Sequence, residues 1–140
     1  MNAHSRPFFA LIFVSSVTEI LSKEEVSVIV EAERKQSNSN GLSGMAIVLG
    51  GNVLRYVEGN EENVIAEFKQ ASRNYNITNI IKLFDGSIAH RYFENYLFMS
   101  NVHPSLSDFK SPEMKEYLEE CLSIDSMPMR IIKDFIKNNT

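Results

Sequence analysis

Apolar and polar positions along the chain alternate between two kinds of run. Phe8 to Ser15 is rich in aromatic and β-branched residues and reads as a buried strand. From Ser22 the spacing becomes helical. Val26, Ile29, Val30 and Glu33 mark one face of a helix that runs to about Gln36. Ser22 and Glu25 form a capping box, and Leu21 and Val26 are placed as a hydrophobic staple. Ser37 to Asn40 with Gly41 reads as a loop. Met45 to Leu49 is a second buried strand, Gly50-Gly51-Asn52 a hairpin turn, and Val53 to Glu58 the returning third strand. Asn60 caps a second helix with Glu61 and Glu62 in its first turn and Val64, Ile65, Phe68 and Ala71 on its core face. Ile77 to Phe84 makes a fourth strand, Asp85-Gly86-Ser87 a turn, and Tyr92 to Met99 a fifth strand.

The order is βαββαβ plus one strand. It predicts an α+β, ferredoxin-like plan: a five-stranded mixed sheet (βαββαββ) with two helices on one face. Two more helices follow. Ser111-Pro112-Glu113 opens one with proline at N1 and an apolar stripe of Met114, Tyr117, Leu118, Cys121 and Leu122. A short one follows Pro128, with Ile131, Ile132, Phe135 and Ile136 apolar. The chain thus divides into a domain over residues 1–100 and a C-terminal helical extension over 101–140. The extension is expected to cover the second sheet face or to join an oligomer contact.

Composition narrows the function classes. A chain of 140 residues with 44% hydrophobic residues, nine Phe and five Tyr can bury one proper core. A net charge of −4 argues against nucleic acid or an anionic membrane as the partner. No run approaches the length of a membrane span, and Ser15-Ser16-Val17-Thr18-Glu19 is a poor cleavage site for a signal peptide. One cysteine, Cys121, allows no internal disulfide and fits a reducing, cytoplasmic setting; its place in a helix stripe marks a buried structural thiol. His4, His90 and His103 lack metal-ligand spacing. Gly41-Leu42-Ser43-Gly44 and Gly50-Gly51 are turns, not phosphate loops. The sequon Asn76-Ile77-Thr78 carries no weight in a chain read as cytoplasmic. No nucleophile–base pair stands out, so no catalytic residue is assigned.

Arg55 is the anomaly. Strand side chains alternate between faces, so Val53, Arg55 and Val57 share one face and Leu54, Tyr56 and Glu58 the other. If the valine face is the core face, a permanent cation points inward, and it needs a partner.

The segment Asn40-Gly41-Leu42-Ser43-Gly44-Met45-Ala46-Ile47-Val48 through Val53-Leu54-Arg55-Tyr56-Val57-Glu58-Gly59 resembles the BLUF family, sensors of blue light using FAD, in its short stand-alone form. Ile12-Phe13-Val14-Ser15-Ser16 resembles that family's first strand and Arg91-Tyr92-Phe93-Glu94-Asn95-Tyr96 its fifth. The likeness spans about residues 8–99 without gaps. The resemblance implies a flavin slot between the sheet and its two helices, and it locates the slot positions in this chain. Phe13 stands where the family has a tyrosine that gives an electron and a proton to the flavin. Arg55 stands where the family has a glutamine whose rearrangement is the light signal; a guanidinium only donates and cannot exchange a carbonyl for an amine. Tyr96 stands at the fifth-strand tryptophan, and Phe98 at the following methionine. Lys35, Gln36 and Ser37 replace an Arg-Asn-Asn run; Gln70 and Asn74 replace an Arg and an Asp of the second helix, and Asn74-Tyr75-Asn76-Ile77 replaces a D-x-R-H pattern. Ile29 fits the apolar lining, and Glu33 takes a position usually small and polar.

Phe13, Glu33 and Arg55 are therefore expected to face the same layer. An Arg55–Glu33 pair would fill or seal the slot; the other arrangement has Arg55 snorkelling to the slot entrance and Glu33 in water. The resemblance thus implies a regulatory module without blue-light photochemistry, with FAD absent or weakly held, acting on a protein partner of unknown identity and self-associating. The alternatives are an FAD-binding photoreceptor with a variant photocycle, using Tyr96 or Tyr56 as donor, and a small acyl phosphatase built around Arg55.

Overall fold

The computed structural model describes residues 7–73 and 77–140. His4 and the Asn74-Tyr75-Asn76 stretch lie outside them. The elements are β1 (Phe8–Val17), α1 (Lys23–Ser39), β2 (Ser43–Leu49), β3 (Asn52–Gly59), α2 (Glu61–Ala71), β4 (Ile77–Ile88), β5 (Tyr96–Ser100), a short 3₁₀ turn (Pro104–Leu106), α3 (Pro112–Leu122) and α4 (Met127–Asn138). They form one five-stranded sheet in the order β4-β1-β3-β2-β5. β1, β3, β2 and β4 pair antiparallel, and β5 joins β2 in parallel. The sheet is mixed, and the βαββαββ plan is as the sequence implied.

Local chemistry sets the helix starts. The Ser22 hydroxyl accepts from the Glu25 amide and the Glu25 carboxylate accepts from the Ser22 amide, which closes the capping box. The Asn60 side chain accepts from the Glu62 amide, and Ser111 and Ser126 cap α3 and α4.

Three boundaries differ from expectation. α1 runs through Ser37, Asn38 and Ser39, and the chain turns only at Gly41, where φ is +67°. Serine and asparagine favour loops but do not break a helix that packs on a sheet. Asp85, Gly86 and Ser87 are not a turn: Leu11, Ala10 and Phe9 of β1 pair with them, and the long β1 carries β4 on to Ile88. Two register shifts on β1 and a left-handed Asn79 (φ +54°) absorb the mismatch along that ladder. β5 starts at Tyr96, because the Tyr92 and Phe93 amides bond the Glu58 carboxylate instead of a neighbouring strand.

α3 and α4 cover one sheet face. Leu118, Cys121, Leu122, Met129 and Ile132 pack on Ile12, Met45, Ile47, Leu54 and Tyr56. α1 and α2 lie on the other face. There Leu11, Phe13, Val57, Val64 and Ala71 form one cluster, and Val30, Ala46, Tyr96 and Phe98 another. α1 is also tied to β5 by Arg34, which bonds the Tyr96 carbonyl and pairs with Asp108 at 2.8 Å. Among the described residues no helix is long and apolar enough to cross a membrane.

Candidate functional site

Arg55 points into the layer between the sheet and helices α1 and α2, and only 4% of its surface is exposed. Its β3 position places it directly opposite Phe13 of β1 and beside Ala46 of β2. Its charge is met inside the protein. Nη2 donates to Glu67 Oε1 at 2.9 Å, and Nε donates to the Tyr96 hydroxyl at 2.7 Å. Tyr96 in turn donates to Glu33 Oε2 at 3.3 Å. Three elements therefore hold one guanidinium: α2 through Glu67, β5 through Tyr96, and α1 indirectly through Glu33.

The expected direct Arg55–Glu33 pair is thus corrected. The ionic partner is Glu67, and Glu33 reaches Arg55 only through a tyrosine hydroxyl. Glu67 follows Val64 by three positions and precedes Ala71 by four, so it lies on the buried stripe of α2. A carboxylate inside that apolar stripe is the signal the sequence offered. Snorkelling is also excluded, since both members of the pair are buried.

The electrostatics follow from this enclosure. Burial lowers the Arg55 pKa, but the fields of Tyr96, Glu33 and Glu67 outweigh it and the net direction is upward. The guanidinium stays charged. Burial raises the Tyr96 pKa, against the opposing pull of Arg55, so the phenol stays neutral and remains a donor. One oxygen of the cluster, Glu67 Oε2, is buried without a hydrogen bond among the described residues, as is Ser37 Oγ on α1.

Aromatic side chains fill the rest of the layer under α2. The Phe13 ring is fully buried and meets Phe68 edge-on with centroids 5.1 Å apart. The Arg55 guanidinium lies 5.7 Å from the Phe13 centroid and 5.4 Å from that of Tyr96. Farther out, Gln36 of α1 hydrogen-bonds Gln70 of α2 and bridges the two helices. Of the residues marked in the sequence, the structure brings Phe13, Arg55, Tyr96 and Glu33 together, joins Gln36 to Gln70, and buries Ser37 near the end of α1. Asn74 lies outside the described residues. Ile29, Glu33, Arg55 and Phe98 also line a cavity of about 550 Å³ between α1 and the β2–β3–β5 side of the sheet, which no residue of α2 lines. Tyr56 is on the opposite sheet face, where its hydroxyl donates to Glu58 at 2.7 Å under the C-terminal helices. It is not available to the layer that holds Arg55.

A second polar cluster went unread in the sequence. Glu58 is fully buried and collects the Ser43 and Tyr56 hydroxyls and the Tyr92 and Phe93 amides, all at 2.6–2.9 Å. Arg91 donates to Ser43 and to the Glu58 and Gly41 carbonyls. This cluster locks the β4–β5 connection onto the ends of β2 and β3. Among the described residues no group of three or more His, Cys, Asp or Glu side chains is arranged to hold a metal ion.

A family model described as BLUF, sensors of blue-light using FAD, matches residues 8–99. No curated protein matches the chain. Among solved structures, a bacterial light-regulated adenylyl cyclase is similar at 22% identity and a TM-score of 0.66, over 91% of this chain and 36% of the cyclase. BlrB, a BLUF protein in its dark state, is similar at 19% identity and a TM-score of 0.67, over 84% of this chain and 96% of BlrB. BlrP1 of Klebsiella pneumoniae, with FMN and cyclic diGMP, is similar at 19% identity and a TM-score of 0.72, over 93% of this chain and 34% of BlrP1. The chain spans about a third of the length of the cyclase and of BlrP1. At these identities the likeness to the solved structures is one of fold.

Proposed function

This chain belongs to the BLUF family, sensors of blue light using FAD, and on that premise we propose that it is a BLUF-type module whose flavin layer is closed by its own side chains. The observation that carries the reading is the buried Arg55–Glu67 pair with its Tyr96 and Phe13 neighbours. A flavin ring entering between α1 and α2 would displace that pair. It would leave Glu67 and Arg55 buried without each other, which costs several kcal/mol. The residues present do not fit a flavin ring in this arrangement. FAD, the cofactor implied by the family, is then absent or weakly held, and blue-light photochemistry is lost with it. Phe13 has no hydroxyl to give, and Arg55 cannot exchange donor for acceptor.

The module then works through protein–protein contact, with an unidentified protein partner or with further copies of itself. The surface to examine is the exposed rim of the sheet. Ile81 and Leu83 of the edge strand β4 are 56% and 43% exposed, more than a solvated edge requires. The absorbance spectrum of the purified protein, with mass spectrometry of what denaturation releases, tests the reading. Flavin-free protein that takes up no FAD supports it; a bound flavin with a light-induced red shift overturns it.

A further inference from the structure

The cavity beside the closed layer has its own chemistry. It lies between α1 and the sheet, and no α2 residue lines it. Val26, Ile29, Val48, Val53 and Phe98 make its walls apolar, and about 550 Å³ is within the ordinary range for a small-molecule site. Its mouth opens between the β1–α1 connection and the segment after β5. There Ile20 is 92% exposed and Val102 40% exposed, two apolar side chains held in water beside an apolar hole. His103 Nε2 lies 2.9 Å from the Leu21 carbonyl and joins the two rims.

Charged groups of both signs line this space: Arg55 and Glu33, with the exposed Glu19 on the β1–α1 connection. Arg55 uses Nε and Nη2 on Tyr96 and Glu67, and Nη1 makes no hydrogen bond among the described residues. Glu33 accepts one hydrogen bond, from Tyr96 at 3.3 Å, through Oε2, and Oε1 makes none among the described residues. The end of the cavity thus offers unused donors beside unused acceptors. An anion would gain Arg55 but meet Glu33, with Glu67 already balancing the arginine. A cation would gain Glu33 but meet Arg55. A neutral head group with a carbonyl beside an N–H satisfies both at once.

We propose that this cavity binds a small neutral molecule with an apolar body and a carboxamide head. The carbonyl accepts from Arg55 and the amide N–H donates to Glu33, while the body lies along Val26, Val53 and Phe98. The site is built from α1 and strands β2, β3 and β5, so its occupancy bears on the position of α1 against the sheet. This goes beyond the closed layer, which needs no ligand.

The test is a ¹H–¹⁵N NMR titration of the full chain with octanamide, octanoate and octylamine in parallel. The proposal expects saturable octanamide shifts around Val48, Val53 and Phe98, with the two charged analogues at least about tenfold weaker, the equivalent of one mismatched charge. Val53→Phe, which fills the cavity, and Val102→Trp, which blocks its exposed mouth, should each abolish the shifts. Glu33→Ala should erase the preference for octanamide over octanoate. Octanoate or octylamine binding as tightly as octanamide, no saturable shift, or binding indifferent to both blocking variants overturns the proposal. A flavin released from the same preparation would overturn the closed-layer reading instead, so the two failures are told apart.

Discussion

Arg55 Nη2 lies 2.9 Å from Glu67 Oε1, with both side chains almost sealed from solvent. Breaking such a pair from one side strands a buried charge, whereas replacing both members with apolar groups does not. Glu67→Gln is therefore expected to lower the unfolding free energy by about 3–5 kcal/mol. The double replacement Arg55→Met with Glu67→Leu should regain most of that. Glu33 touches the guanidinium only through Tyr96, and Glu33→Ala should cost about 1 kcal/mol or less. Urea unfolding of the four proteins checks the order; a Glu33 variant as damaged as the Glu67 variant would reassign the partner.

Much of this arrangement is legible in the sequence, and the rest is hidden for identifiable reasons. Strand alternation puts Arg55 on one face with Val53 and Val57, and the family resemblance puts Phe13 on the same layer; the register that sets the two directly opposite is seen only in the structure. The start of α1 is written in Ser22 and Glu25. Glu67 is missed because the core stripe of α2 is read from its apolar members, and a carboxylate within that stripe is passed over. Asp85-Gly86-Ser87 has turn chemistry, but pairing with β1 overrides it. Tyr56 and Glu58 share a strand face in the sequence, but the Tyr92 and Phe93 amides that complete the cluster lie more than thirty positions away, and no local pattern announces them.

Glu58 should be as unforgiving as Glu67. Its two oxygens accept four hydrogen bonds, and the side chain is fully buried. Glu58→Gln keeps the shape but turns an amide NH₂ toward those donors, and a loss of about 3 kcal/mol is expected. Amide hydrogen exchange at Tyr92 and Phe93 reads the effect locally: both should exchange faster in the variant than in the parent, and unchanged protection would refute the role given to this carboxylate.

Alkaline pH should unfold the protein through its buried phenols. Burial, reinforced for Tyr56 by Glu58, raises the pKa of Tyr56; burial raises that of Tyr96 despite Arg55. Below the ordinary value of 10.0 both states carry the phenolic protons and the contribution is complete. Above it the unfolded chain loses protons that the folded chain keeps, so stability falls as pH rises, by at most about 1.4 kcal/mol per pH unit for each phenol. Tyr56→Phe with Tyr96→Phe should flatten this slope in urea midpoints measured from about pH 8 to about pH 11. An unchanged slope would mean that other groups govern it.

Reopening the layer should restore flavin uptake. Arg55→Gln with Glu67→Ala removes the charged pair, and Phe13→Tyr returns the hydroxyl. The triple variant is expected to retain at least about tenfold more FAD than the parent after gel filtration, a gain of about 1.4 kcal/mol or more in binding. Equal retention by both proteins would show that the Arg55–Glu67 pair does not control the layer.

The closed layer itself is tested most directly by one spectrum: the visible absorbance of the parent protein, purified after incubation with excess FAD and recorded before and after blue light. No amino-acid side chain absorbs in the visible, so a band with the shape of the flavin spectrum reports bound flavin. The account predicts no flavin band and no light-induced change. A stoichiometric flavin band that shifts to the red under blue light would contradict it.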